Sequence, residues 1–132
     1  MADNGLVTVK SLHRVKETID KLAAVVTAKG MQVFARIDHG KGAAEVGLPL
    51  RPTELLIFGN ARGGTPLMQS VPTIGIDLPL KALVWQDASG ETWLSYNDPA
   101  WLAQRHGLSG AEAAIGNLTA ALNALAKEAT AE

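Results

Sequence analysis

The feature that most constrains the fold is a pair of strand-like runs joined by a tight turn. Residues 80–86 and 92–96 are rich in β-branched, aromatic and other apolar residues, which favour strands. The connecting turn Asp87-Ala88-Ser89-Gly90 places a glycine where a left-handed residue is needed. Because hairpin strands are antiparallel, the sequence predicts a largely antiparallel sheet whose apolar side is covered by helices.

Four further runs predict extended structure. Residues 6–10 form a short β-rich run, and residues 31–38 alternate so that Met31 and the odd-numbered residues after it share one side. Residues 53–58 are almost continuously apolar, which predicts a strand covered on both faces at its centre. Residues 73–77 are expected to be extended as well.

Apolar residues at helical spacing predict a long helix near each end of the chain. The first follows Ser11 as N-cap and ends at Gly30, and the second begins at a capping box from Ser109 to Glu112. Short helices are predicted over residues 40–47, from Thr65 as N-cap to Ser70, and from Asp98 to Gly107.

The resulting element order is β-α-β-α-β-α-β-β-α-α, without repeats or breaks in composition. It predicts a single α+β domain over residues 1–132. One mainly antiparallel sheet of four or five strands is expected, with the long N- and C-terminal helices packed on it.

Composition narrows the classes of function. The 132 residues include 12 basic and 13 acidic side chains, for a net charge of −1, and no cysteine. Thiol chemistry and disulfides are therefore excluded, and nucleic acid is not an expected partner because phosphate binding needs a concentrated positive patch. No signal peptide and no apolar run near the ~20 residues of a membrane span are found. A cytoplasmic protein without a membrane partner is expected.

Five segments together resemble a known family. They are VFARIDH (residues 33–39), LRPTELLIFGN (50–60), GTPLMQ (64–69), PTIGIDLPLKALVW (72–85) and WLSYNDP (93–99). The chain resembles the bacterial domain-of-unknown-function family 302. The resemblance implies a compact α+β fold grouped with TATA-box-binding-protein-like folds, and pairing as a homodimer. It implies no activity, so no catalytic residue is carried over and the catalytic residues remain unknown.

The glycine-rich loop after the third strand is the first candidate site. Its amide groups open a helix, where the helix dipole favours an anion, and an arginine side chain adds positive charge. A phosphate, sulfate or carboxylate would suit it, while a tight turn capped by the threonine is the structural alternative. The candidate ligand-binding residues are Asn60, Arg62, Gly63, Gly64 and Thr65.

Polar residues near strand ends form the second candidate site. An arginine between carboxylates would hold a polar ligand, and paired carboxylates would supply an acid and a base. In the structural alternative, Asp98 caps a helix and Arg51 pairs with an acid. The cluster comprises Arg51, Glu54, Asp77, Tyr96, Asn97 and Asp98, and His39 is added as a further acid–base candidate.

The three histidines, His13, His39 and His106, show no metal-binding spacing. No serine or threonine stands in a recognisable nucleophile motif. Neither a metal site nor a cofactor is therefore predicted.

Three hypotheses follow. The first is a non-enzymatic, homodimeric module that binds a small polar or anionic ligand. The second is an enzyme that uses Asp77, Tyr96, Asp98 and His39 on a small polar substrate, and the third is a structural or protein-interaction domain. Pairing through an exposed apolar patch is expected, and its predicted members are Leu67, Met68, Trp101 and Leu102.

Overall fold

A computed structural model describes residues 4–132, and the elements follow the expected order. The strands are β1 (Leu6–Ser11), β2 (Gln32–Asp38), β3 (Thr53–Gly59), β4 (Leu80–Gln86) and β5 (Thr92–Asn97). The α-helices are α1 (Val15–Ala28), α2 (His39–Glu45), α3 (Ala61–Ser70), α4 (Pro99–Arg105) and α5 (Glu112–Thr130). A short 3₁₀ helix, Pro72–Ile76, lies between α3 and β4.

The five strands form one sheet in the order β1-β5-β4-β3-β2, and every neighbouring pair is antiparallel. The predicted α+β class with a single antiparallel sheet is confirmed. The β4–β5 hairpin is also as expected, because Gly90 has a φ of +86° in its turn, a conformation that glycine adopts without steric cost.

The core lies between the sheet and the two long helices. Both α1 and α5 pack against each other and against the sheet, which confirms that the terminal helices cover it. Apolar side chains at helical spacing from these helices meet alternate residues of the central strands. The fully buried members include Ile19, Leu22, Val26, Leu56, Phe58, Val84, Leu94 and Leu125.

The opposite side of the sheet, the open face, is not covered by α1 or α5. Cross-strand pairing aligns Leu55 with Leu83 and Trp85 with Trp93 on this face, and these side chains are half-buried. The two indole rings stack with centroids 6.4 Å apart. The expectation that β3 is covered on both faces is therefore wrong within one chain, because both long helices lie on the same side.

A bulge in β2 changes which residues share a face. Val33 pairs with Phe58 on the core side, whereas Ala35 pairs with Ile57 and the register shifts between them. The prediction that the odd-numbered residues of this strand share one side is wrong, because a bulge inserts one extra residue and reverses the alternation. Phe34, the extra residue, is 47% exposed.

Three predicted boundaries are wrong. The first helix begins at Val15, because Ser11 ends β1 and its hydroxyl bonds the Thr18 hydroxyl at 2.7 Å. α5 begins at Glu112 without a side-chain cap, so the capping box does not form. Residues 73–77 are not extended, because Pro72 starts a 3₁₀ turn, a position that suits its fixed φ.

The predicted apolar patch is also wrong. Leu67 and Leu102 are only 2% and 4% exposed, so they belong to the interior. Trp101 approaches the β1 end closely, since a Cβ on Gly5 would lie 2.4 Å from its ring. Half-buried apolar side chains lie instead on the open face, at Leu55, Leu83, Trp85 and Trp93.

Candidate functional site

Sheet register decides which predicted site residues are neighbours. Phe58 pairs with Leu80 and Ala82 pairs with Tyr96, so the C-terminal ends of β3 and β5 meet the N-terminal end of β4. Asn60, which follows β3, Asp77, which precedes β4, and Tyr96 therefore lie at the same end of the sheet.

Three of the predicted residues lie at the opposite end of the sheet, whereas Asn97 and Asp98, at the end of β5, lie at the same end as Tyr96. Arg51 precedes β3, Glu54 is near its start, and His39 follows β2, whose last residue Asp38 pairs with Glu54. A strand of six residues spans about 20 Å. The strand-end cluster is thus divided between the two ends, because residues at the start and end of one antiparallel strand cannot share a site.

The glycine-rich loop forms the first turn of α3. Asn60 is its N-cap, and the Asn60 Oδ1 accepts the Gly63 amide at 2.6 Å. The Gly64 amide bonds the Asn60 carbonyl at 3.1 Å. The prediction of Thr65 as N-cap is wrong because asparagine, a stronger capping residue than threonine, stands five positions earlier and starts the helix there.

The Asn60 side chain accepts only one of the first amides of α3, so other amides of this turn can still bind an anion. Among residues 4–132, no acceptor bonds the amides of Ala61 and Arg62, which are the first two of the helix. These N–H groups carry the positive end of the helix dipole. Arg62 is exposed beside them.

A cavity of about 340 Å³ lies against this turn, within the range of small-ligand sites. Its walls come from β2, β3, α3, α5 and the segment before β4, and they are predominantly apolar. The lining residues are Met31, Phe34, Gly59, Asn60, Ala61, Gly63, Gly64, Thr65, Met68, Leu78, Pro79, Leu80 and Leu118. We call it the apolar pocket.

Sequence reasoning located the loop but not the chemistry of the pocket. Phe34 stands beside Gly59, since a Cβ built on that glycine would lie 4.0 Å from the phenylalanine ring. Met31 directly precedes β2, Met68 lies in α3 and Leu118 lies in α5, so no local pattern joins them. The signal that was available is Met68, which closely follows the glycine-rich loop, since methionine fills adaptable apolar sites.

Asp77 belongs to a polar cluster that the sequence did not indicate. Its carboxylate is 2.5 Å from His106 Nε2 and accepts from Arg105 Nη1 at 3.0 and 3.1 Å. On the other side of the ring, His106 Nδ1 lies 3.0 Å from the Thr73 hydroxyl. No sign of this threonine–histidine contact is present in the sequence, because residues 33 positions apart leave no motif.

Tyr96 and Asp98 have structural surroundings. Tyr96 is 6% exposed on the core side, and burial, with a smaller effect of the Asp98 charge, raises the pKa of its hydroxyl. Asp98 is 5% exposed, and its carboxylate caps α4 by accepting the Ala100 amide at 3.1 Å. The structural alternative for Asp98 is confirmed.

At the far end of the sheet, Glu54 bonds Arg36 Nε at 3.1 Å, and Arg36 also reaches Asp20 at 2.6 Å. Within residues 4–132 Arg51 forms no ion pair with an acid. The hydrogen bond from Trp93 is the largest of the effects that lower the pKa of Asp87, and the charge of Arg51 is only the weakest of them. His39 is the exposed first residue of α2. The register thus separates His39 from the other three residues of the acid–base hypothesis.

Fold and site define a small α+β domain with an apolar pocket at the start of a glycine-rich helix. The chain belongs to the family described as domain of unknown function DUF302, whose model matches residues 7–125. A solved structure of an uncharacterized DUF302 protein from Bacillus stearothermophilus has a TM-score of 0.85 at 21% identity. It covers 95% of this chain and 98% of the other, which shows the shared fold.

Curated relatives carry a different kind of name. The fluoride-specific ion channel FluC 1 of Brucella suis biovar 1 (strain 1330) is 62% identical over 106 residues, or 80% of this chain. The Brucella abortus protein of the same name is equally similar. The match spans 42% and 39% of these relatives, about two fifths of their length. In residues 4–132, no helix combines the length and hydropathy needed to cross a membrane.

Proposed function

We propose that this chain is a small-ligand-binding module whose ligand has an apolar body and a polar or anionic head. The observation that carries the proposal is the apolar pocket against the first turn of α3. The apolar walls would desolvate the body of the ligand. The amide of the lining residue Ala61 would bind the head, together with the amide and side chain of its neighbour Arg62, which follows it just outside the lining.

The size of the pocket limits the ligand. A volume of about 340 Å³ accommodates on the order of ten non-hydrogen atoms at roughly 30 Å³ each. Octanoate has ten such atoms and joins a carboxylate to an apolar chain. It is therefore a suitable probe, and the matched compounds are octanol, which replaces the anionic head by a neutral hydroxyl, and acetate, which lacks the apolar body.

Calorimetric titration with the three compounds tests the proposal. Octanoate should bind more tightly than octanol, and acetate should bind least. Gly64→Leu should abolish binding, because a Cβ at this position already lies 3.6 Å from Leu78 Cδ1 and the side chain would occupy the pocket. Arg62→Ala should weaken the binding of octanoate but not the binding of octanol.

Gly116→Leu is the control, because nothing lies within 4 Å of a Cβ there, so it should leave octanoate binding unchanged. The absence of octanoate and octanol binding to the wild-type chain, or equal binding to Gly64→Leu, would refute the proposal.

The proposed module is a homodimer that pairs through the open face. A sheet with apolar side chains on both sides requires a layer on each, and α1 and α5 supply only one. Five strands about 4.8 Å apart and about 20 Å long give a face of roughly 480 Å². This area is below the ~800 Å² per partner of a standard interface, so the proposed dimer belongs with the small interfaces.

Light scattering behind a sizing column tests the dimer. We expect twice the chain mass of 13.9 kDa for the wild type and the single mass for Leu83→Glu, which places a charge at the centre of the open face. Leu12→Glu is the matched control, since Leu12 is 66% exposed away from that face. A wild-type mass of one chain at all concentrations would exclude the dimer.

A second candidate function rests on the relatives. Because the chain is 62% identical to 106 residues of proteins named as fluoride channels, we propose that it can act as an accessory unit beside such a channel, on the cytoplasmic side. Thermal unfolding in sodium fluoride and in sodium chloride at equal ionic strength tests direct involvement of the anion. A rise in Tm specific to fluoride and lost in Arg62→Ala is expected, and equal Tm values in both salts would contradict it.

A further inference from the structure

One wall of the apolar pocket is a short segment between α3 and β4. The wall segment, residues 71–79, contains the 3₁₀ helix and ends in Leu78 and Pro79, which both line the pocket. Its backbone bonds Val71–Leu67, Ile74–Val71 and Asp77–Ile74 stay within the segment or reach only the end of α3. Its position against the pocket therefore depends on side-chain contacts.

The side-chain hydrogen bonds of the wall segment converge on one place, whereas its apolar contact with the interior is made by the buried Ile74. Within residues 4–132, every hydrogen bond made by a side chain of the wall segment ends on Arg105 or His106, at the C-terminal end of α4. Thr73 and Asp77 provide them from opposite ends of the 3₁₀ helix. The His106 ring thus lies between the two and fixes both.

The cluster is shielded from water at its centre. The His106 and Asp77 side chains are 7% and 14% exposed, whereas Arg105 is 48% exposed on the outside. Hydrogen bonds to a charged group in such surroundings are stronger than neutral, solvated ones. Loss of the Asp77 charge would therefore weaken the contact with both Arg105 and His106.

The order of hydroxyl, imidazole and carboxylate is one that hydrolases also use. Here Arg105 donates to both oxygens of Asp77 and thereby neutralises the charge that would support an imidazolium. The lining of the apolar pocket includes Leu78 and Pro79 but not Thr73, Asp77 or His106. The cluster is thus placed to hold the pocket wall and not to contact a ligand within it.

We propose that Asp77, His106 and Arg105 are positioning residues that hold the wall segment against the apolar pocket, so that this contact sets ligand affinity. Asp77 is directly followed by the lining residue Leu78. When the cluster opens, the wall moves and the pocket loses its closed shape. This inference rests on the proposed ligand-binding function for its effect on affinity, but its effect on the wall segment is independent of any ligand.

Amide hydrogen exchange and octanoate titration on the same variants test the proposal. The reporter amides are those of Ile74 and Asp77, both bonded inside the wall segment, and the Ile115 amide of α5 is the internal reference. In Asp77→Asn, exchange at Ile74 should be at least about tenfold faster relative to Ile115. The octanoate dissociation constant should rise at least about fivefold, because binding must first restore the wall.

A conservative pair and a distant control sharpen the test. Thr73→Val removes only the hydroxyl and should accelerate exchange at Asp77, whereas Thr73→Ser keeps the bond to His106 and should restore the wild-type rate. Asp20→Asn removes a carboxylate from the ion pair with Arg36, which lies away from the pocket, and should change neither readout.

The outcomes distinguish the two proposals. If wild type and Asp77→Asn have the same Ile74-to-Ile115 exchange ratio, the positioning role is refuted. If that ratio rises while octanoate does not bind even the wild type, the positioning role is supported and the proposed ligand class is refuted. If octanoate binds both variants with equal affinity despite faster exchange, the control of affinity by this cluster is refuted.

Discussion

Alanine at three helical glycines would measure the start of α3 and its contacts with the pocket. Gly116 lies inside α5 with nothing within 4 Å of a Cβ, so Gly116→Ala reports helix propensity alone. It should stabilise the chain by about 0.5–1 kcal/mol. At Gly64 a Cβ would gain ordinary contacts with Leu78 at 3.6 Å and Met68 at 3.9 Å, each worth about 0.1–0.2 kcal/mol. Gly64→Ala should therefore equal or exceed the Gly116 value.

Gly63 should behave differently. A Cβ there would lie 3.1 Å from the Asn60 Oδ1 that caps the helix, and loss of such a cap costs about 0.5–2 kcal/mol. This cost offsets the gain in propensity, so Gly63→Ala should be neutral or destabilising. Urea unfolding followed by tryptophan fluorescence, checked by circular dichroism, gives the three free energies. Equal stabilisation by Gly63→Ala and Gly116→Ala would mean that Asn60 does not cap α3, and the start of the helix would be wrong.

Three other predictions concern stability. Leu56→Ala should cost about 2–5 kcal/mol of unfolding free energy, because Leu56 is fully buried. The control Leu12→Ala, at a residue that is 66% exposed, should stay within about 0.5 kcal/mol of wild type. Similar losses of unfolding free energy for the two variants in urea titrations would contradict the assignment of Leu56 to the core. Arg36→Met should cost about 1–3 kcal/mol of unfolding free energy, because it leaves the Glu54 side chain, which is 11% exposed, without its partner. Lys10→Met breaks the exposed ion pair with Glu91 at 3.2 Å and should cost less than about 1 kcal/mol. Hydrogen bonds from Trp93 Nε1, and then from the Glu91 and Ser89 amides, lower the pKa of Asp87. The contribution of Asp87 to folding stability is therefore fully present above its unfolded pKa of about 3.9. It is lost as the pH falls through the lower pKa of the folded state. Asp87→Asn should therefore destabilise the chain more at pH 7 than at pH 2. An equal loss of unfolding free energy at the two pH values would mean that these hydrogen bonds do not stabilise the Asp87 carboxylate.

Elements with a strong local signal could be predicted from the sequence. The β4–β5 hairpin follows from its turn residues, and the buried stripe of α1 at Val15, Ile19, Leu22 and Val26 follows from helical spacing. In each case the signal lies within one turn or one helix. The terminal helices could then be assigned to the sheet because no other elements were long enough to cover it.

The errors arose where two local signals compete. Asn60 and Thr65 are both good N-caps within six residues, and only the preceding strand end decides which one starts α3. The bulge at Phe34 has no sequence marker, since the alternation of side chains predicted from the sequence continues without interruption through residues 31–37. Ser11 was assigned to a cap but pairs in the sheet with Thr92, which shows tertiary pairing overriding a local preference.

In the candidate site, contiguous residues could be found from the sequence, whereas residues that meet only in the folded chain could not. Local sequence located the glycine-rich turn, because its residues are contiguous. The partners of Asp77 could not be located, since Arg105 and His106 lie 28 and 29 positions away and reach it only after α4 has docked. Arg51 and Asp77 both stand near strand ends, but the antiparallel order sends them to opposite ends of the sheet.

The firm anchoring of α4 explains why its end can hold the pocket wall. At its N-terminus the Asp98 amide bonds the Gly5 carbonyl at 2.8 Å, while the Asp98 carboxylate caps the helix. Trp101 packs on Gly5, and Leu102 is buried. The N-terminal end of the helix is thus fixed to the β1 edge, while the residues at its other end contact the wall segment. A short helix held at one end by the sheet gives His106 a defined position, and Asp77 and the pocket wall take theirs from it.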